Sequence, residues 1–181
     1  MNVEVIESKQ IYRGRVFSLR QDKLRLPNGR QVELDIIDHP GAVTMVPVDE
    51  DGQIWFIRQY RHSCGGFLLE LPAGASEIGE DPEISAQREI REEIGMAARN
   101  LQKIGGFYLA AGYSTEYMHI YLASDLYPAP LQKDEDELLT VEKISAREAM
   151  KMAESGQIED SKTMVALFWA RPYLFDWTPF V

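Results

Sequence analysis

Residues 74–96 read G-A-S-E-I-G-E-D-P-E-I-S-A-Q-R-E-I-R-E-E-I-G-M, which satisfies G-x5-E-x7-R-E-U-x-E-E-x-G-U, with U aliphatic, at every specified position. Each fixed position admits one residue type, so the segment constrains the chain far more than a short glycine pattern does. Asp81 is a good N-cap, and Pro82 suits the first helical position, where no N–H is needed. The helix is expected to run to about Ile94 and to stop at Gly95. At about 100° per residue, Ala86, Ile90 and Ile94 form an apolar stripe, while Glu89, Glu92 and Glu93 crowd a different face.

Like charges three or four residues apart weaken a helix by a few tenths of a kcal/mol each, so this face needs compensation. An ordinary glutamate-rich helix is a solvated surface, here neutralised by Arg88 and Arg91. The complete pattern favours another reading. Clustered hard oxygen ligands are what Mg²⁺ or Mn²⁺ require, and such ions hold a diphosphate for in-line displacement.

The 181-residue chain is 45% hydrophobic and 27% charged, enough for one globular body with a sizeable core. It has no apolar run near 18 residues and a charged, polar start, so neither a membrane span nor a signal peptide is expected, and the cytoplasm is the expected location. The single cysteine, Cys64, excludes an internal disulfide. It stands in R-H-S-C-G-G with nothing to mark it as a nucleophile. The net charge of -10 argues against nucleic acid as a partner, because an acidic protein repels a polyanion. The three histidines, His39, His62 and His119, have no metal-ligand spacing.

Along the chain, residues 1–38 are β-rich, with a Pro27-Asn28-Gly29 turn joining the second and third strands. A sheet this small must dock on the rest of the chain or on a second subunit. The division is therefore 1–38, a small β-subdomain, and 39–181, the main domain. Val43 to Val48 and Ile54 to Gln59 read as a hairpin about Asp51-Gly52. Leu68 to Leu71 leads into the Pro72-Ala73-Gly74 turn. Leu101 to Tyr108 and Tyr117 to Ala123 read as strands flanking the loop Ala110 to Glu116. Ser145 and Glu148 form a capping box for a helix to about Glu154, and Asp160 or Ser161 opens another through Trp169. An aromatic tail follows, without an evident packing partner. The pattern predicts an α/β fold with a mixed sheet between helices.

The 74–96 segment resembles the Nudix hydrolase signature, and the flanks I-Y-R-G-R-V-F-S-L, D-H-P-G-A-V, F-I-R-Q-Y-R and L-E-L-P-A-G resemble its ADP-ribose pyrophosphatase branch. The resemblance implies the Nudix fold, with Glu89 and Glu93 as metal ligands together with the main-chain carbonyl of Ala73. Glu92 is then a ligand or its neighbour, Arg88 orients the carboxylates by forked hydrogen bonds, and Glu80 supports the loop. In that branch the N-terminal strands are exchanged across a homodimer. Arg15 and Val16 would thus contact the partner's substrate, with Arg58 and Arg61 as phosphate- or base-contacting residues and Glu77 near the terminal ribose or an extra metal. The loop Ala111 to Glu116, with Gly112, matches P-G-x-x-x-E. Glu116 then becomes the general base for the attacking water, with Glu92 or Glu93 as alternatives. Such a loop is expected to be mobile and to close over substrate. Ala111 replaces the branch's usual proline, which opens the substrate to nucleoside diphosphate sugars more broadly.

The resemblance thus implies Mg²⁺-dependent hydrolysis, with Mn²⁺ as a possible substitute, of ADP-ribose or a related nucleoside diphosphate sugar. The alternatives are a non-hydrolytic sensor of such ligands, against which the intact glutamates argue, and a nucleoside triphosphate sanitiser, against which the N-terminal strands argue.

Overall fold

A computed structural model describes residues 2–133 and 137–175. Three antiparallel strands open the chain: β1 (Glu4–Arg13), β2 (Ser18–Arg25) and β3 (Gln31–Asp38). The expected turn joins β2 to β3. Gly29 takes φ 83°, which only glycine adopts without cost, and Asn28 Oδ1 accepts the Arg30 N–H at 3.1 Å. Every residue of β1 is exposed, as expected of a sheet too small to bury a core of its own.

The main body divides its strands between two sheets. β4 (Ala42–Pro47), β7 (Ala73–Ala75), β8 (Met96–Tyr108) and β9 (Tyr117–Pro128) form a mixed sheet in the order β7-β4-β9-β8, in which β4 and β9 are parallel. β5 (Gln53–Arg61), β6 (Gly66–Glu70) and β10 (Leu139–Ser145) form an antiparallel sheet in the order β10-β5-β6. This corrects the expected 43–59 hairpin. β4 and β5 share only the bridge Val48 to Ile54 beside the turn, and then each joins its own sheet. Both strands are buried on two faces, so each needs partners that a lone hairpin cannot provide.

Three helices cover this framework: α1 (Pro82–Glu93), α2 (Ala146–Glu154) and α3 (Ser161–Leu174). Ala86 and Ile90 of α1, with Ile94, pack on Val43, Met45 and Ile57. Val46, Ile54, Phe56 and Ile120 instead meet Ala149 and Met150 of α2 and Ala166 and Leu167 of α3. Alternation along β4 therefore feeds two cores, one per face. The caps fall where the sequence places them: Asp81 accepts from Glu83 N, Ser145 from Glu148 N and Asp160 from Thr163 N. α3 runs past Trp169 to Leu174 with Pro172 inside it. Phe175 packs partly on the α2 and α3 core, and the tail beyond it lies outside the described residues. Among the described residues, no helix is long and apolar enough to cross a membrane.

Candidate active site

The short strand β7 brings loop and helix together. It pairs with β4 through Thr44 to Ala73, Val43 to Gly74 and Ala42 to Ala75, which locks the L-P-A-G turn against α1. Gly74 faces Glu89 so closely that a Cβ there would lie 2.0 Å from the Glu89 Cδ. The requirement for glycine at the head of the pattern is thus one of space for a carboxylate.

Glu93 is fully buried, and Glu89 is 8% exposed. Ala73 N donates to Glu93 Oε2 at 2.8 Å, whereas Glu93 Oε1 is buried without a hydrogen-bond partner among the described residues. Burial pushes the Glu89 carboxyl up to about 7, against the pull of Arg88, and pushes Glu93 well above the carboxylate range. The helix therefore buries Glu89 and Glu93 alongside its apolar stripe, a cost that a cation would offset.

Arg88 contacts three carboxylates, and its fork closes on Glu80 rather than on Glu89 or Glu92. Its Nη1 donates to Glu89 Oε1 at 2.6 Å and to Glu92 Oε2 at 2.9 Å, and its Nη2 reaches Glu80 Oε2 and the Ala75 carbonyl, both at 3.3 Å. Glu80 also accepts from Glu77 N at 3.0 Å and from Ser85 Oγ at 2.7 Å. Despite partial burial, these donors hold the Glu80 carboxyl at about 2, so it is a fixed anion that braces the loop. Among the described residues, no three His, Cys, Asp or Glu side chains are placed together to hold a metal ion. The fit to a hard divalent cation rests instead on two buried carboxylates, the orphaned Glu93 Oε1 and the adjacent Ala73 backbone.

Two adjoining cavities open beside this cluster. One, of about 640 Å³, is lined by Glu89, Glu92, Arg88, Glu77, Arg15 and Arg61, among others. The second, of about 350 Å³, includes Glu116, Glu70, Lys162 and His39. They share Val16, Arg61 and residues 73–75. Val16 thus lines both cavities and Arg15 the larger of the two.

Two candidates stand apart. Arg58 and Arg61 are three positions apart on β5, so the strand's alternation points them to opposite faces. Arg61 lines both cavities, while Arg58 lines neither and is gripped by Glu142 of β10 at 2.5 and 3.1 Å. Gly112 lies on an exposed turn and also lines neither cavity.

The loop carrying Glu116 is stitched to the end of β3 rather than hanging free. Ile37 N donates to the Tyr113 carbonyl at 2.7 Å, Thr115 N to the Ile37 carbonyl at 2.9 Å, and His39 N to Thr115 Oγ1 at 2.9 Å. The reason is tertiary: the loop's polar groups find partners at the end of the N-terminal sheet, a tether with no local signal in the sequence. Glu70 and Lys162 are among the lining residues that escaped sequence reasoning. They are 92 positions apart, and no local pattern links them.

A family model described as the NUDIX domain matches residues 38–167, and one described as the nucleoside diphosphate sugar hydrolase N-terminal domain matches residues 3–33. The chain is 37% identical to an ADP-ribose pyrophosphatase of Bacillus subtilis, over 91% of this chain and 90% of that protein. It is 34% identical to a methanol dehydrogenase activator of Bacillus methanolicus over the same shares. A crystal structure titled ADP compounds hydrolase superposes with a TM-score of 0.84 at 26% identity, covering 96% of this chain and 95% of that one. The signature, the fold and these likenesses agree: the chain belongs to the NUDIX hydrolase family.

Proposed function

We propose that this protein hydrolyses the diphosphate bond of ADP-ribose or a related nucleoside diphosphate sugar with Mg²⁺, for which Mn²⁺ can substitute, giving a nucleoside monophosphate and a sugar phosphate. The observation that carries this reading is the pair of buried, charge-averse carboxylates, Glu89 and Glu93, held beside Ala73 under a cavity that also presents Arg61.

Glu89, Glu93 and the Ala73 carbonyl would hold the cation, with Arg88 fixing the orientation of Glu89 and Glu92. When bound, such an ion neutralises the diphosphate and makes the attacking water more acidic. Arg61 supplies fixed positive charge to the phosphates. Arg15, Val16 and Glu77 line the cavity where the nucleoside diphosphate sugar would rest. The water oxygen forms a bond to phosphorus as the bridging P–O bond breaks. Glu116 takes the water's proton, and the departing phosphate leaves as an anion. The exposed positions of Val5, Ile11 and Tyr12 on the N-terminal sheet favour a homodimer that covers this sheet. An acidic chain with one exposed thiol suits the reducing cytoplasm.

A panel of nucleoside diphosphate sugars and nucleoside triphosphates, incubated with Mg²⁺ and resolved into products, tests the reading. ADP-ribose or a related compound is expected to yield a nucleoside monophosphate plus a sugar phosphate. Binding without turnover would establish the sensor reading instead, and a preference for triphosphates would establish sanitation.

A further inference from the structure

Behind Arg61 lies a buried chain of charges that the reaction as described does not use. Glu70, at the end of β6, is 1% exposed and accepts from Arg61 Nε at 2.8 Å and from Arg61 Nη2 at 2.7 Å. Its Oε2 also accepts from Lys162 Nζ, and Lys162 Nζ is 3.0 Å from Asp160 Oδ2. Asp160 caps α3 through Thr163, and Thr163 Oγ1 accepts from Leu71 N at 2.8 Å, which ties the helix to β6.

Most of a buried cluster like this has an evident structural value, but its geometry carries a further consequence. Arg61 spends its Nε and Nη2 edge on Glu70, and its Nη1 has no hydrogen-bond acceptor among the described residues. The remaining donors are therefore available to an anion in the cavities that Arg61 lines. Glu70 holds them there only while it remains an oriented anion. Burial alone would raise the Glu70 carboxyl, and the two cations outweigh that, so it is held below its usual range. Without Lys162, Glu70 loses one of its two cationic partners and α3 loses a tie to β6.

We infer that Lys162, acting through Glu70, is a positioning residue that presets the Arg61 guanidinium for the substrate diphosphate, so that the first turn of α3 belongs to the substrate site. This rests on the diphosphatase reading above.

The test is a double-mutant cycle of Lys162→Met and Arg61→Ala, read as KM and kcat separately, with active enzyme titrated and Tm recorded. Lys162→Met is expected to raise KM about ten-fold with kcat within about three-fold of wild type, as loss of a charge-assisted contact made equally in ground and transition states does. It should have no further effect in the Arg61→Ala background, and Lys162→Arg should restore KM. A merely structural role would lower Tm or the active fraction and leave KM alone. Should Lys162→Met fail to fold, Lys162→Gln, which keeps a donor without the charge, takes its place with the same expectation. An unchanged KM, or equal factors in the two backgrounds, overturns the inference, as does an Arg61→Ala enzyme with normal KM, while the diphosphatase reading stands. Wild type inert toward the whole panel defeats that reading itself.

Discussion

Glu93 accepts a hydrogen bond from the Ala73 main chain through Oε2 at 2.8 Å, while its other oxygen is buried without a donor among the described residues. A carboxylate half satisfied by the turn that precedes its own helix is poised for a cation at the remaining oxygen. Glu93→Gln keeps the Ala73 bond and removes the charge. We expect kcat with Mg²⁺ to fall by at least about a hundred-fold. In metal-free buffer Tm should hold or rise by about 2 to 4 °C, because burial disfavours a Glu93 charge that Gln does not carry. Turnover within a few-fold of wild type would remove Glu93 from the metal site.

Stability of the metal-free protein should fall as pH rises from 4.5 to 7. Glu89 titrates near 7 in the fold against 4.5 as its ordinary value, so the folded state binds more protons across that window. Its contribution is complete below 4.5 and lost through pH 7. His119, held below its ordinary 6.5 by burial, works in the opposite sense, so the informative quantity is the difference between wild type and Glu89→Gln. Mg²⁺ should raise Tm more at pH 8 than at pH 5, because it binds the ionised carboxylates. Equal gains at both pH values would exclude Glu89 as a ligand.

Gly74→Ala should uncouple fold from chemistry. The added methyl would stand 2.0 Å from the Glu89 Cδ, yet that carboxyl is the end of a flexible side chain and can swing away. The protein should fold while metal affinity drops about ten- to a hundred-fold, measured by calorimetry with Mn²⁺. Unaltered affinity would mean that Glu89 does not need its position beside Gly74.

Glu116→Gln addresses the base. A loss of about 10²- to 10⁴-fold in kcat, with little change in KM, is expected if Glu116 accepts the proton. The hydrogen bonds from Ile37 and His39 hold the loop in either variant, so a collapse of the loop would not mimic the effect. A loss confined to KM would transfer the role to Glu92 or Glu93.

Light scattering at micromolar concentration should return about 41 kDa, twice the chain's 20.6 kDa, if the exposed N-terminal sheet is covered by a second copy. A monodisperse monomer would refute the dimer, and the cleft would then rely on Arg15 and Val16 of its own chain.

What was legible in the chain follows from local rules. Asp81, Pro82 and Gly95 bound α1 because caps and breakers act on their own neighbours, and Gly29 marks its turn for the same reason. The 3.6-residue period also grouped Glu89 with Glu93 and put Arg88 within reach of Glu92. Pairing between distant strands decided the rest. Whether β5 would stay with β4 or leave for β6 and β10 depends on two-faced burial, which a five- or six-residue apolar run cannot express. That choice sends Arg58 to Glu142 and Arg61 to Glu70, and it sets Lys162, from the far end of the chain, behind the site. The depth of Glu93 was equally hidden: its charge marks a surface residue in sequence, and only β7 packing across α1 makes it a buried one.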